Sequence, residues 1–353
     1  MTVIPMGRAV TVLGAGRLSV QDFPDLSPGA GDAVVDVAYG GVCGSDVHYW
    51  QRGEVGESVL ADPMVLGHEV VGTVRAAAAD GSGPPAGTPV AVHPAQTCGQ
   101  CDRCREGRDN LCPHLRYLGS AARRPHTHGG FAERLLVPGH RLVPVPAGLP
   151  LRTAALAEPA SVARHALTRM TALAGGVRGR RVLVTGAGPI GLLVVALAHL
   201  DGAAEVTVTD LHPQPLEAAR QVGATGTLTA GEPLPQVDVA FESSGAPAAV
   251  ATALGALLPG GTLVQVGQLP GTGVAGPWHL TVPRELTFSG SSRFAGGMTA
   301  TLATIAAHPA LFAPIVSAEY TVDAAEEALA VASRPERSSK VLLRFSSARR
   351  SRR

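Results

Sequence analysis

The five cysteines of this chain fall into two groups with different chemical prospects. Cys98, Cys101, Cys104 and Cys112 are spaced C-x2-C-x2-C-x7-C. Four soft ligands in one loop suit a closed tetrahedral Zn²⁺ site, which can organise a segment that has little core of its own. A ferredoxin-like iron–sulfur run shares the C-x2-C-x2-C opening and a proline after the last cysteine, here Pro113, but its fourth cysteine follows after about three residues rather than seven. Cys43 stands apart, in Gly41-Val42-Cys43-Gly44-Ser45-Asp46-Val47-His48-Tyr49. His68 and Glu69 adjoin, and Glu158 sits in Ala157-Glu158-Pro159. A Cys, a His and a Glu from separate segments can build a catalytic zinc with one open position. On its own, Cys43 reads as a small buried hydrophobe.

A second constellation is a nucleotide site. Val182-Leu183-Val184-Thr185 runs into Gly186-Ala187-Gly188-Pro189-Ile190-Gly191 and then an apolar stretch, the strand, glycine turn and helix order that a dinucleotide requires. Gly186 permits the tight turn, Gly188 lets the backbone approach a pyrophosphate, and Gly191 allows the helix to pack closely. Pro189 and Ile190 open a helix whose free N–H groups face the phosphates. Asp210 ends the next apolar run, where a carboxylate accepts hydrogen bonds from ribose hydroxyls and repels a 2′-phosphate. NAD is therefore expected over NADP, with His212 softening that preference.

These residues need two kinds of scaffold. Length alone allows two domains, since 353 residues divide into units of about 150. Up to 150 the chain shows short β-branched runs next to Gly and Pro, among them Val34–Val37, Gly72–Val74 and Val90–Val92, which predict a strand-rich domain. From about 180, apolar runs alternate with helical patterns: strands at Arg181–Thr185, Glu205–Asp210, Val237–Phe241 and Thr262–Val266, with helices at Pro189–Leu200, Pro213–Val222 and Pro247–Leu258 between them. That alternation predicts a parallel sheet with crossover helices. Helices at Thr299–Ala307 and Asp323–Ser333 and a strand at Lys340–Phe345 follow, and the arginine-rich tail 349–353 reads as a solvated end.

Composition narrows the functions. The 45% apolar and 16% charged content excludes a mainly disordered chain, and 29 basic against 28 acidic residues give no general attraction to nucleic acid or an anionic membrane. The longest apolar run, Ile190–Leu200, is too short to span a bilayer, and Arg8 and Arg17 interrupt the region where a signal peptide would be apolar. A soluble cytoplasmic protein is expected. A non-enzymatic zinc-ribbon module and an iron–sulfur carrier remain as other classes.

The segments GVCGSDVHYW, PMVLGHEVVGTV, LAEPASV and GAGPIG, with the four-cysteine lobe, together resemble the zinc-dependent medium-chain alcohol dehydrogenases, in the polyol branch with sorbitol dehydrogenase. The resemblance covers essentially the whole chain. Within the branch, RYLGSA, GGFAERLLVP, SGSSRF and PIVSAEYTVDAAEEAL are more similar to the L-idonate 5-dehydrogenases. The resemblance implies an α/β plus β architecture: a GroES-like catalytic domain over 1–150 with a structural zinc lobe at about 93–115, an inserted Rossmann domain over 151–293, and a segment 294–353 that completes the catalytic domain. It implies a catalytic zinc on Cys43, His68 and either Glu69 or Glu158, the two carboxylates competing for one position.

The implied reaction is hydride transfer to NAD from a secondary hydroxyl of a sugar acid or polyol, with zinc as Lewis acid. L-Idonate is the expected substrate, and sorbitol or xylitol the alternative. Ser45 resembles the first hydroxyl of a proton relay and His48 its outer acceptor, while Glu158 lies beside the reacting groups. Tyr49 and Arg293 resemble residues lining the substrate pocket, Arg293 also facing the cofactor. Arg116 and Arg123 read as loop arginines, and His114, His126 and His128 as ordinary loop histidines. A homotetramer or dimer is implied.

Overall fold

A computed structural model describes residues 3–271 and 273–345. The tail at 349–353 lies outside the described residues. The alternating β-branched runs of the first half form a ten-stranded, largely antiparallel sheet. Its path is Leu142–Pro144, Pro89–Val92, Glu69–Ala76, Asp32–Gly41, Ala132–Pro138, Ile4–Gly14 and Arg17–Phe23, with the short strand Met64–Val65 beside Ile4–Gly14. Two strands from the far end of the chain join it: Val316–Thr321 lies parallel to Lys340–Arg344, which runs antiparallel to Asp32–Gly41. Gly41 is paired on one side with Glu69 and on the other with Leu342. That register brings the C-terminal strand against the segment that carries Cys43, His68 and Glu69.

The second sheet has six parallel strands in the order Gly226–Thr229, Glu205–Asp210, Arg181–Thr185, Val237–Glu242, Leu257–Gln265 and Thr287–Gly290. A parallel sheet covered by helices buries both faces, and Val182, Leu183, Val184 and Thr185 are accordingly all buried. Each crossover helix starts with proline at its first position, at Pro189, Pro213 and Pro247, where the missing N–H costs no hydrogen bond. The strand order reverses about Arg181–Thr185, which opens a crevice at the carboxyl ends of the strands.

The two sheets meet across the 18-residue helix Ala157–Ala174. Its small residues Ala160, Ala163 and Ala166 sit in one apolar cluster with Val71 and Ala91 of the first sheet and Val184 and Val264 of the second. The helix ends at Gly175, whose left-handed φ of 77° lets its N–H close on Thr171. No single helix among the described residues is long and apolar enough to cross a membrane.

Several elements differ from the sequence reading. The helices Gly44–Arg52 and Ala157–Ala174 were not expected, because each is rich in residues that bear chemistry or lack bulk, and neither shows a clean apolar stripe. The edge strands Gly226–Thr229 and Thr287–Gly290 are four residues each, too short to signal themselves. The helix from Pro247 stops at Ala256 and Leu257 begins a strand, so the apolar pair Leu257-Leu258 belongs to the sheet. The expected helix at Asp323–Ser333 is a 3-10 turn Val322–Ala324 followed by Ala325–Ala332.

One glycine shows how tightly the first sheet is built around the site. Gly67 has φ +95°, and a Cβ there would lie 2.0 Å from the ring of the fully buried Phe131. Gly67→Ala is expected to cost about 2–4 kcal/mol, from left-handed strain plus overpacking. A lowered thermal midpoint together with loss of bound metal, since His68 follows directly, checks this. An unchanged midpoint contradicts it.

Candidate active site

The first ligand loop is built by a helix start. Cys43 precedes helix Gly44–Arg52, and its backbone N–H donates to Asp46 Oδ2 at 2.9 Å. Asp46 Oδ1 accepts the N–H of Gly67 at 3.0 Å. This fully buried carboxylate thus ties the loop of Cys43 to the bend before His68. Asp46 was not among the residues singled out from sequence; the signal that could have found it is the acidic residue at the third position of a helix, the far half of a capping box.

Cys43, His68 and Glu69 converge, with one donor atom from each lying within 4.8 Å of the others. His68 and Glu69 are buried, at 7% and 1% exposure. Glu69 Oε1 accepts a hydrogen bond from Lys340 Nζ at 2.6 Å, and the same ammonium donates to the Val42 carbonyl at 3.0 Å. Lys340 is the only lysine in the chain and is 2% exposed. Glu69 Oε2 is buried with no hydrogen-bond partner. Burial lifts the Glu69 carboxyl to about 7 even with Lys340 pulling it down, so a further cation on the free oxygen would keep it ionised near neutrality. A sulfur, an imidazole nitrogen and a carboxylate oxygen at this spacing fit Zn²⁺.

Glu158, in the first turn of helix Ala157–Ala174, is not a member of that close group. Its Oε1 accepts a hydrogen bond from the Tyr117 hydroxyl at 2.6 Å, and both residues are buried. The Arg293 guanidinium lies 5.0 Å from the centre of the Tyr117 ring. Tyr117 is a second residue the sequence reading missed. It lies in RYLGSA, which was read there for resemblance and not for chemistry.

Cys98, Cys101, Cys104 and Cys112 bring their four sulfurs together. Sulfur pairs lie at 3.5 Å for Cys98–Cys112 and Cys101–Cys104, 3.9 Å for Cys101–Cys112 and 4.0 Å for Cys98–Cys104. A tetrahedral zinc with bonds of about 2.3 Å has sulfur edges of about 3.8 Å, so the four side chains fit that ion. Backbone N–H groups of Gln100 and Cys101 bring the Cys98 thiol down to about 6. Burial, and then the hydrogen bond with Cys101, hold the Cys104 thiol up at about 12.

At the second sheet, the glycine turn joins strand Arg181–Thr185 to helix Pro189–Leu200. Gly186 has φ +90°, and a Cβ on Gly191 would lie 1.9 Å from the Gly186 carbonyl oxygen, so helix and turn are in direct contact. Nothing of the protein lies within 4 Å of a Cβ built on Gly188, which leaves that flank open. Pro189 and Ile190 form the first turn of the helix. Asp210 Oδ2 accepts the Ala187 N–H at 2.7 Å and Oδ1 accepts the His212 N–H at 3.0 Å. The carboxylate is thus fixed beside the turn and each oxygen keeps capacity for another donor. Glu242, fully buried at the end of its strand, was not foreseen; it accepts the N–H groups of Ser244 and Gly245 and the Gln265 amide, and so shapes the loops at the carboxyl edge.

A cleft of about 1170 Å³ joins the two halves. Ser45, Tyr49, His68 and Tyr117 line one wall, and Gln265–Leu269 with Gly290–Arg293 line the other. Among the described residues Arg293 is the only Lys or Arg side chain lining the cleft, and the exposed Glu54 and Glu57 line it too. The Tyr49 hydroxyl accepts the Ala121 N–H at 3.0 Å. His48 is half-buried one turn along from Ser45 and is not on the wall; its pKa is lowered, first by burial and then by Arg52. Arg116 and Arg123 donate to the carbonyls of Pro125 and Pro113, within their own loop. His126 and His128 accept backbone N–H groups from 61–65.

Comparison with known proteins agrees with this construction. The family model for the alcohol dehydrogenase GroES-like domain matches residues 29–147, and that for the zinc-binding dehydrogenases matches 189–307. The chain is 36% identical over 325 residues to L-idonate 5-dehydrogenase (NAD(P)(+)) of Escherichia coli, covering 88% of this chain and 91% of that protein. It is 35% identical over 271 residues to sorbitol dehydrogenase of Bacillus subtilis, covering 74% of each. A crystal structure of L-idonate 5-dehydrogenase from Escherichia coli superposes with a TM-score of 0.87 at 33% identity, over 98% of this chain and 100% of that one.

Removing the buried counter-ion of Glu69 tests the electrostatic reading. Lys340→Met is expected to destabilise the fold by about 3–5 kcal/mol, because it leaves a carboxylate buried and unpaired. Burial already raises the folded pKa of Glu69 above its unfolded value, so the folded state holds the extra proton and loses stability as pH rises through about 7. Without Lys340 that loss deepens. In metal-stripped protein, the deficit of the variant in denaturant melts should be larger at about pH 8.5 than at about pH 6. A deficit independent of pH contradicts the assignment.

Proposed function

We propose that this chain, which belongs to the zinc-type medium-chain alcohol dehydrogenases with a GroES-like domain, oxidises L-idonate to 5-ketogluconate with NAD as hydride acceptor. The observation that carries the reading is the convergence of Cys43, His68 and Glu69 in one cleft with the carboxyl edge of the parallel sheet. In that reading 1–150 with 294–353 form the catalytic part and 151–293 the NAD part; the pairing of Lys340–Arg344 with Asp32–Gly41 supports it.

Cys43, His68 and Glu69 would hold the catalytic zinc and the four-cysteine lobe the structural one. When bound, the ion would supply Lewis acidity toward the substrate hydroxyl and the nicotinamide would serve as hydride acceptor. The remaining work falls to the chain. Ser45 on the cleft wall would accept the hydroxyl proton and His48, held neutral at pH 7 by burial and Arg52, would take it outward. Asp210 would fix the adenosine ribose, which favours NAD over NADP. Arg293 supplies the positive charge that a sugar-acid carboxylate requires, and the 36% identity to an L-idonate 5-dehydrogenase supports that substrate.

A polyol reading has its own support. Glu54 and Glu57 on the cleft lining repel an anion and accept hydrogen bonds from neutral hydroxyls. Initial rates of NAD⁺ reduction with L-idonate, D-sorbitol and xylitol decide between them. Preference for L-idonate upholds the proposal, and preference for either polyol replaces it with the second reading. Cys43→Ser is expected to reduce turnover below about a thousandth while NADH still binds and quenches protein fluorescence, because the metal ligand and the nucleotide turn sit on different sheets. Retained turnover would rule out the metal assignment.

A further inference from the structure

Two buried carboxylates compete for one metal cluster, and the structure treats them differently. Glu69 gives Oε1 to the Lys340 ammonium, has Oε2 buried without a partner among the described residues, and brings a carboxylate oxygen within 4.8 Å of the Cys43 and His68 donor atoms. Glu158 gives Oε1 to a neutral donor, the Tyr117 hydroxyl at 2.6 Å. Tyr117 is itself held from three sides. It pairs with Ala95 in the two-stranded ribbon Ala95–Gln96 and Arg116–Tyr117, five residues after the last cysteine of the lobe. The His68 ring packs against one part of its ring at 5.8 Å, and the Arg293 guanidinium lies over it at 5.0 Å. Asn110 Nδ2, within the lobe, donates to the Ser292 carbonyl at 2.8 Å, so the loop that carries Arg293 is tied to the same lobe.

We infer that Tyr117 is a positioning residue that latches Glu158 away from the metal, so that the coordination position left open by Cys43, His68 and Glu69 stays free for substrate. The inference rests on the function proposed above, which supplies the metal. The latch works through geometry. The O–H occupies one lone pair of Glu158 and fixes its side-chain rotamer, and burial leaves the carboxylate few other donors. The four-cysteine lobe then has a role beyond stabilising its own loop, because it anchors both Tyr117 and the loop of Arg293. The lobe and the cleft are coupled through named contacts, Tyr117 to Glu158 and Asn110 to Ser292.

Removing the hydroxyl releases the latch. In Tyr117→Phe, Glu158 turns to the cluster and adds an oxygen ligand. With Co²⁺ exchanged into both sites, the variant-minus-wild-type absorption difference should show altered d–d bands in the absence of substrate, and chelator should remove the catalytic ion about tenfold more slowly. KM should rise more than kcat falls, since substrate must now displace a ligand. Tyr117→Phe with Glu158→Gln should return both the spectrum and the release rate to wild type, a rescue that mere loss of packing would not give. An unchanged spectrum and release rate in Tyr117→Phe overturn the latch. Glu158→Gln alone tests it independently of how well Tyr117→Phe folds: metal release within about twofold of wild type is expected, and release tenfold faster would make Glu158 a ligand already and overturn the inference. Failure of the function looks different, since wild type would then bind only the single ion of the cysteine lobe and turn over none of the three substrates.

Discussion

The buried ion pair between Lys340 and Glu69 constrains everything around it. Both side chains are almost fully removed from water, and an ammonium so placed is tolerable only with a close counter-ion and a second acceptor. Glu69 and the Val42 carbonyl provide them. The consequence is topological. The C-terminal strand returns to the first sheet beside Gly41, which holds Glu69 next to Cys43 and His68 with its second carboxylate oxygen buried and without a partner among the described residues. An interaction of doubtful net stability thereby specifies where a cation can sit.

Around that point the molecule spends its polar groups on alignment. Asp46 fastens the Cys43 loop to the bend at Gly67, Tyr117 fastens Glu158, and Glu242 organises the loops across the cleft. None of the three has a direct cationic partner among its hydrogen bonds; each is a buried carboxylate, or a donor to one, satisfied by neutral groups. Such groups are costly when unpaired and rigid when paired. Rigid placement matters here because the ligand loops and the nucleotide turn belong to two different sheets packed on one apolar cluster.

Electrostatics in the cleft are mixed, and this bears on selectivity. Arg293, an exposed side chain on the cleft wall, offers one positive charge beside the Tyr117 ring, while the exposed Glu54 and Glu57 line the same cleft. These opposite charges share one cleft, so an anionic ligand meets both attraction and repulsion there.

The sequence by itself determined the ingredients whose constraints are local. The C-x2-C-x2-C-x7-C spacing is enough to close four sulfurs around one ion, and the turn Gly186 to Gly191 needs glycine because its own helix packs against its own carbonyl. Prolines at the helix starts and β-branched runs in the strands likewise act within a few residues, so the parallel sheet was legible. The convergence of Cys43, His68 and Glu69 was legible only as a possibility, since three segments have to meet. Tertiary structure decided what depends on contacts between distant residues: that Lys340 faces Glu69 across 271 positions, that Glu158 is claimed by Tyr117, and that Asp46 serves two ligand loops at once. A lone lysine, a tyrosine after a cysteine lobe and an aspartate in a helix cap carry no periodic signal. Their roles exist only because a buried charge or hydroxyl must find a partner, and the fold determines which partner is within reach.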